Sequence, residues 1–105
     1  VVISGGENIY PAELENVLAE SNLFLEATVV GVSDSRWGEI PIVVAVAGEG
    51  NDHDSEAVLE LFHGQIAPFK YPKEVIWVDH LPRNVMGKVL KHEVRDLIAK
   101  NKTKS

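Results

Sequence analysis

The sequence of 105 residues has no cysteine, one methionine, and 10 basic residues against 16 acidic ones. Without cysteine there is neither a disulfide framework nor a thiolate metal site, an absence compatible with a reducing compartment without proving one; a cytoplasmic setting is expected. A net charge of −6 argues against nucleic acid as a partner, because that binding rests on a basic face that neutralises phosphates. A local group of lysines can still hold a small phosphorylated ligand, since the field that matters there is local. No apolar run approaches the ~18 residues that cross a bilayer, so no membrane span is expected. Histidines 53, 63, 80 and 92 fall on different predicted elements without metal-ligand spacing, and Asp52 and Asp54 lack the further ligands of a calcium loop. No metal is expected in the chain itself. Ser4, Ser33 and Ser35 have no nearby base in a nucleophile motif. The opening Val-Val-Ile-Ser has no initiator methionine, basic leader or cleavage site, and it reads as a piece of a longer protein rather than a signal peptide.

What is present suits one globular domain: 45% hydrophobic and 25% charged residues, with enough length for a single modest core. A short strand at 1–3 runs into the turn-type cluster Ser4-Gly5-Gly6-Glu7-Asn8. Pro11, early acidic residues and Leu14, Val17 and Leu18 predict a helix over about 11–20. Val-rich segments at 26–33 and 40–47 read as strands joined by a polar loop, and 48–54 as an exposed connection. Asp54 or Ser55 caps a helix that buries Val58, Leu61, Phe62 and Ile66. A strand follows at 74–79, then a loop at 80–87. A last helix from about Val89 buries Leu90, Val94, Leu97 and Ile98, and 101–105 reads as a frayed tail. The expected class is α+β: a small three-stranded sheet core with three helices, plus a short N-terminal strand segment, as a two-layer sandwich.

Three segments have the residue types for chemistry. In Ser4-Gly5-Gly6-Glu7, consecutive glycines ahead of a helix let backbone amides approach a ligand; a plain tight turn is the alternative, and on these residues alone the favoured one. In Pro82-Arg83-Asn84-Val85-Met86-Gly87-Lys88, a Gly-Lys pair sits at the tip of a proline-bounded loop. There an ammonium can meet a carboxylate and phosphate oxygens as charge builds. The alternative is that Lys88 and Lys91 are solvated residues of a helix start, where the dipole mildly disfavours cations. Phe69-Lys70-Tyr71-Pro72-Lys73 interleaves aromatics with lysines, a pattern that either stacks a purine and holds its phosphates or anchors a loop to the core. Trp37 on its hairpin loop is open between packing and lining a channel.

Taken in order, Ser4 to Glu15, Asp34 to Glu39, Phe69 to Lys73 and Pro82 to Lys88 resemble motifs of the adenylate-forming superfamily. That superfamily comprises acyl- and aryl-CoA synthetases, peptide-synthetase adenylation domains and luciferases. The resemblance spans nearly the whole chain and is strongest to the C-terminal domain of the AMP-forming acyl-CoA synthetases. It implies a mobile lid, residues 1–105, on a large N-terminal domain that holds ATP, Mg2+ and a fatty or aryl carboxylic acid. Lys88 would be the adenylation lysine. Gly5, Gly6 and Glu7 would line a pantetheine tunnel, with Trp37, Phe69 and Lys73 contacting CoA. Tyr71 departs from relatives with Arg there, so a phosphate contact would fall to Lys70 or Lys73. The isolated chain is expected to be inactive and to bind neither ATP/AMP nor CoA by itself. Two other readings remain: an adenylation domain serving a carrier protein, and a binding module without catalysis.

Overall fold

A computed structural model describes residues 1–104, with side chains through Lys100; the expected frayed tail at 101–105 lies largely outside the described residues. The chain runs β1 (Val2–Ser4), β2 (Glu7–Ile9), α1 (Pro11–Leu18), β3 (Glu26–Asp34), β4 (Gly38–Val46), α2 (Ser55–Glu60), a 3-10 turn (Pro68–Lys70), β5 (Val75–Trp77) and α3 (Lys91–Lys104). The sheet order is β2-β1-β4-β3, with β5 also on β4. All pairs are antiparallel except β4 and β5.

The α+β class and the three helices are as expected; two details of the sheet and its layers differ. First, the sheet has five strands, because Glu7-Asn8-Ile9 returns along β1 instead of leading straight into the helix. Gly5 and Gly6 have φ of +57° and +83°, and a two-residue hairpin turn with both central residues at positive φ needs this pair. Second, helices cover both faces, giving three layers. The alternation of side chains along β3 and β4 explains it: Val29, Val43 and Ala45 point to one side, Val30, Ile42 and Val44 to the other. The first set joins Leu14 and Leu18 of α1, Val58 of α2 and Phe62 in the turns after it. The second joins Val94 and Ile98 of α3 with Leu81. Leu90 and Leu97 are only partly buried.

α2 is shorter than its apolar spacing predicts. It starts on Asp54, whose Oδ1 accepts from the Ala57 amide at 3.0 Å, and gives way after Glu60 to tighter turns through Gln65. α3 begins at Lys91 rather than near Val89, so Lys88 lies outside the helix.

β3 is an edge strand of the sheet, and side chains from α1 and α3 bond to its outer side. Glu15 Oε2 accepts from the Thr28 hydroxyl at 2.6 Å and the Val29 amide at 3.0 Å. Lys91 Nζ donates to the Val29 carbonyl at 3.0 Å and pairs with Glu15 at 3.1 Å, while Arg95 Nε reaches the Gly31 carbonyl at 3.2 Å. Burial pushes the Glu15 carboxyl up, but the bonds from Thr28 and Val29, and the bond and charge of Lys91, outweigh it. The carboxyl therefore sits below the usual glutamate range.

Candidate functional site

Two of the segments singled out above lie at opposite ends of the long β3–β4 hairpin, and the third lies between them. At the Asp34–Gly38 end, Asp34 Oδ2 accepts from the Arg36 and Trp37 amides at 2.9 and 2.8 Å, which turns the chain and presents Trp37 with 46% of its surface exposed. The β1–β2 turn packs directly against it. The Gly5 amide donates to the Trp37 carbonyl at 2.8 Å, and a Cβ at Gly5 would lie 3.0 Å from the indole ring. The Arg36 guanidinium stands 5.2 Å above that ring, an addition to the site that sequence reading left without a role. Gly6 and Glu7 are exposed beside them.

Phe69 to Lys73 lies beside the middle of β4, where the Lys73 amide donates to the Pro41 carbonyl at 3.0 Å. Its members have different situations. Lys70 is held by both oxygens of Glu13, at 2.9 and 3.1 Å, so its charge is already matched. Tyr71 packs against the core, stacks on His63 at 5.2 Å and accepts from the Gly64 amide at 3.4 Å. That arrangement is the core-anchoring alternative for this residue. Phe69 is exposed, and Lys73 is the exposed lysine of the segment, with no partner at its ammonium among the described residues.

Lys88 is at the other end. Its segment is a tight hairpin rather than a slack loop. Arg83 bridges to Val89, the Asn84 amide donates to the Lys88 carbonyl at 2.9 Å, and the Gly87 amide donates to the Asn84 carbonyl at 3.0 Å. Asn84 Oδ1 accepts from the Met86 and Lys88 amides at 2.9 and 3.0 Å. Gly87, at φ +84°, supplies the left-handed residue that closes a turn of this length. Arg83 then joins the hairpin to the sheet: Nη1 donates to the Gly87 carbonyl and Nη2 to Glu26, both at 2.7 Å. Val85 and Met86 project fully into solvent, and the Lys88 ammonium has no partner among the described residues. Glu26 and Asp34 are eight strand positions apart, roughly 26 Å. The longest dimension of the molecule is 37 Å. Lys88 and Trp37 therefore sit at opposite extremes.

A surface depression of 660 Å³ between β3 and α3 contains none of these residues. Among the described residues no group of three or more His, Asp or Glu could hold a metal ion. No described helix is long and apolar enough to cross a membrane. Besides Arg36, sequence reading assigned no role to Glu26, nor to Arg83 and Asn84 individually within their motif. Asn before a glycine turn is a local signal; the Arg83–Glu26 pair spans 57 positions and leaves none.

A two-ended α+β domain with a lysine hairpin at one end and a glycine-tryptophan junction at the other defines the class. Residues 13–88 match the family described as the AMP-binding enzyme C-terminal domain, and the chain belongs to it. It is 53% identical over 100 residues to an indoleacetate–CoA ligase of Aromatoleum aromaticum, covering 95% of this chain and 20% of that protein. A 2-succinylbenzoate–CoA ligase of Geobacillus is 39% identical over 101 residues, covering 96% of this chain and 20% of that protein. The solved structure of apo MatB from Rhodopseudomonas palustris superposes with a TM-score of 0.85 at 44% identity, over 91% of this chain and 19% of that one. The chain thus spans about a fifth of the length of the relatives it matches.

Proposed function

We propose that the chain is the lid of an AMP-forming acid–thiol ligase, in which a carboxylate oxygen attacks the α-phosphorus of ATP and pyrophosphate leaves. The CoA sulfur then attacks the acyl carbon of the adenylate, and AMP leaves. In this reading Lys88 serves the first step. Carboxylate and α-phosphate are both anions, and bringing them together needs a mobile point charge placed between them. An ammonium with no partner among the described residues, on a stiff hairpin, is available for that task. Gly5, Gly6, Glu7 and Trp37 serve the second step by lining the path of the thiol arm, with Phe69 and Lys73 toward the nucleotide end of CoA. Lys70 and Tyr71 support that segment from within.

The observation that carries the reading is the separation of the two groups. One rigid domain cannot bring both ends to one reacting carboxyl at once, so it must rotate between steps and show each end in turn. Its partner is accordingly the N-terminal domain of the same enzyme, which also supplies ATP, Mg2+ and acid sites, in a cytoplasmic setting where ATP and CoA are at hand. That the similar proteins are CoA ligases favours CoA over a carrier-protein thiol as acceptor. The test is the full-length parent enzyme given acid, ATP and CoA: AMP and acyl-CoA should appear in equal amounts. Acyl transfer to a carrier protein but not to CoA would overturn the reading. The isolated chain should release no pyrophosphate from ATP.

A further inference from the structure

We propose that Arg83 is a positioning residue for Lys88 and that Glu26 is its anchor; the inference rests on the reading of Lys88 as the adenylation lysine. The lysine hairpin is held within itself by Asn84 and Gly87. Those bonds fix its shape but not its angle to the sheet. Among the described residues, one hydrogen bond leaves the Arg83–Lys88 segment through a side chain: Arg83 Nη2 to Glu26 Oε1, at 2.7 Å. The same guanidinium donates through Nη1 to the carbonyl of Gly87, the residue directly before Lys88. A planar fork with one prong on the first residue of β3 and the other beside the reactive lysine sets both the distance and the direction between them. Beyond it the tip has no packing of its own, since Val85 and Met86 are fully exposed.

The pair contributes little to folding. Its side chains are 42% and 32% exposed, and pairs so open to water add little to stability. Its value lies in the aim of Lys88, where a displacement of an ångström is enough to lower the rate of a positioned step by about 100-fold.

The experiment uses the full-length parent enzyme with Arg83→Gln, Arg83→Lys, Glu26→Gln, the double Glu26→Gln/Arg83→Gln, and Lys88→Ala. Each half-reaction is measured separately, together with amide hydrogen exchange. Arg83→Gln should lower kcat for adenylate formation by about 10- to 100-fold, with KM for ATP and acid within about twofold. Thioester formation from supplied acyl-adenylate should be unchanged. Arg83→Lys, reaching one acceptor at a time, should recover part of the loss. The double variant should be no worse than Arg83→Gln alone, because the two residues act as one unit. Exchange at Gly87 and Lys88 should quicken in Arg83→Gln while that at Val43 and Val44 stays the same. If Lys88→Ala abolishes adenylate formation but Arg83→Gln leaves it within about twofold of the parent, the inference is wrong and the role of Lys88 stands. If Lys88→Ala itself retains adenylate formation, the reading beneath it is wrong. Exchange at Lys88 then decides whether Arg83 holds the hairpin: faster exchange in Arg83→Gln supports it, and unchanged exchange overturns it.

Discussion

Lys88 and Lys91 are near neighbours in sequence and looked alike there, two cations at the start of a helix. Their surroundings separate them. Lys91 is the first residue of α3, where the helix dipole is unfavourable to it, and Glu15 together with the Val29 carbonyl offsets that. Lys88 precedes the helix, so the dipole argument does not bear on it, and its ammonium has no match among the described residues. The Glu15 side of this network has a consequence for pH. Its folded-state pKa is lowered, so the unfolded chain takes up the proton first as pH falls. Its stabilisation is complete above the ordinary glutamate range and is lost as pH drops through the folded-state value. Denaturant titrations should show stability declining as pH falls through and below the ordinary glutamate range, and Glu15→Gln should be less stable at pH 7 with a flatter acid limb. An unchanged limb would assign the acid sensitivity to other carboxylates.

Elements were legible in the sequence where burial has a clear period and less so where a turn decides. The spacing of Leu14 and Leu18, of Val58 and Phe62, and of Val94 and Ile98 marked residues that are buried. The strand at Glu7–Ile9 was not legible: three residues, two of them polar and exposed, present no alternation to read. The glycine pair that makes this hairpin was visible but is equally suited to a strand-to-helix turn. Two substitutions test these local accounts by urea denaturation. Gly5→Ala forces a side chain into left-handed backbone against the Trp37 ring and should cost about 1–2 kcal/mol. Asp54→Ala removes the cap of α2 and should cost about 1 kcal/mol. A loss below a few tenths of that in either case would mean the turn or helix end relaxes without its special residue. At the site, motif order showed which segments to watch, but the pairings Gly5–Trp37 and Arg83–Glu26 are long-range contacts that only the fold reveals.

At the scale of the whole molecule, a sheet clad on both faces makes a stiff body with usable ends. Phe62 is fully buried between α2 and the sheet, and Phe62→Ala should cost about 3–5 kcal/mol, enough to leave so small a domain marginal. On the proposed function, that stiffness would let one rotation exchange Lys88 for the Gly5–Trp37 junction without either end deforming. The decisive measurement takes Lys88→Ala and Trp37→Ala in the full-length parent enzyme and assays adenylate formation and thioester formation separately. Lys88→Ala should lose the first and keep the second; Trp37→Ala should keep the first and weaken the second through a raised KM for CoA. Equal loss of both half-reactions in both variants would contradict the assignment of one end to each step.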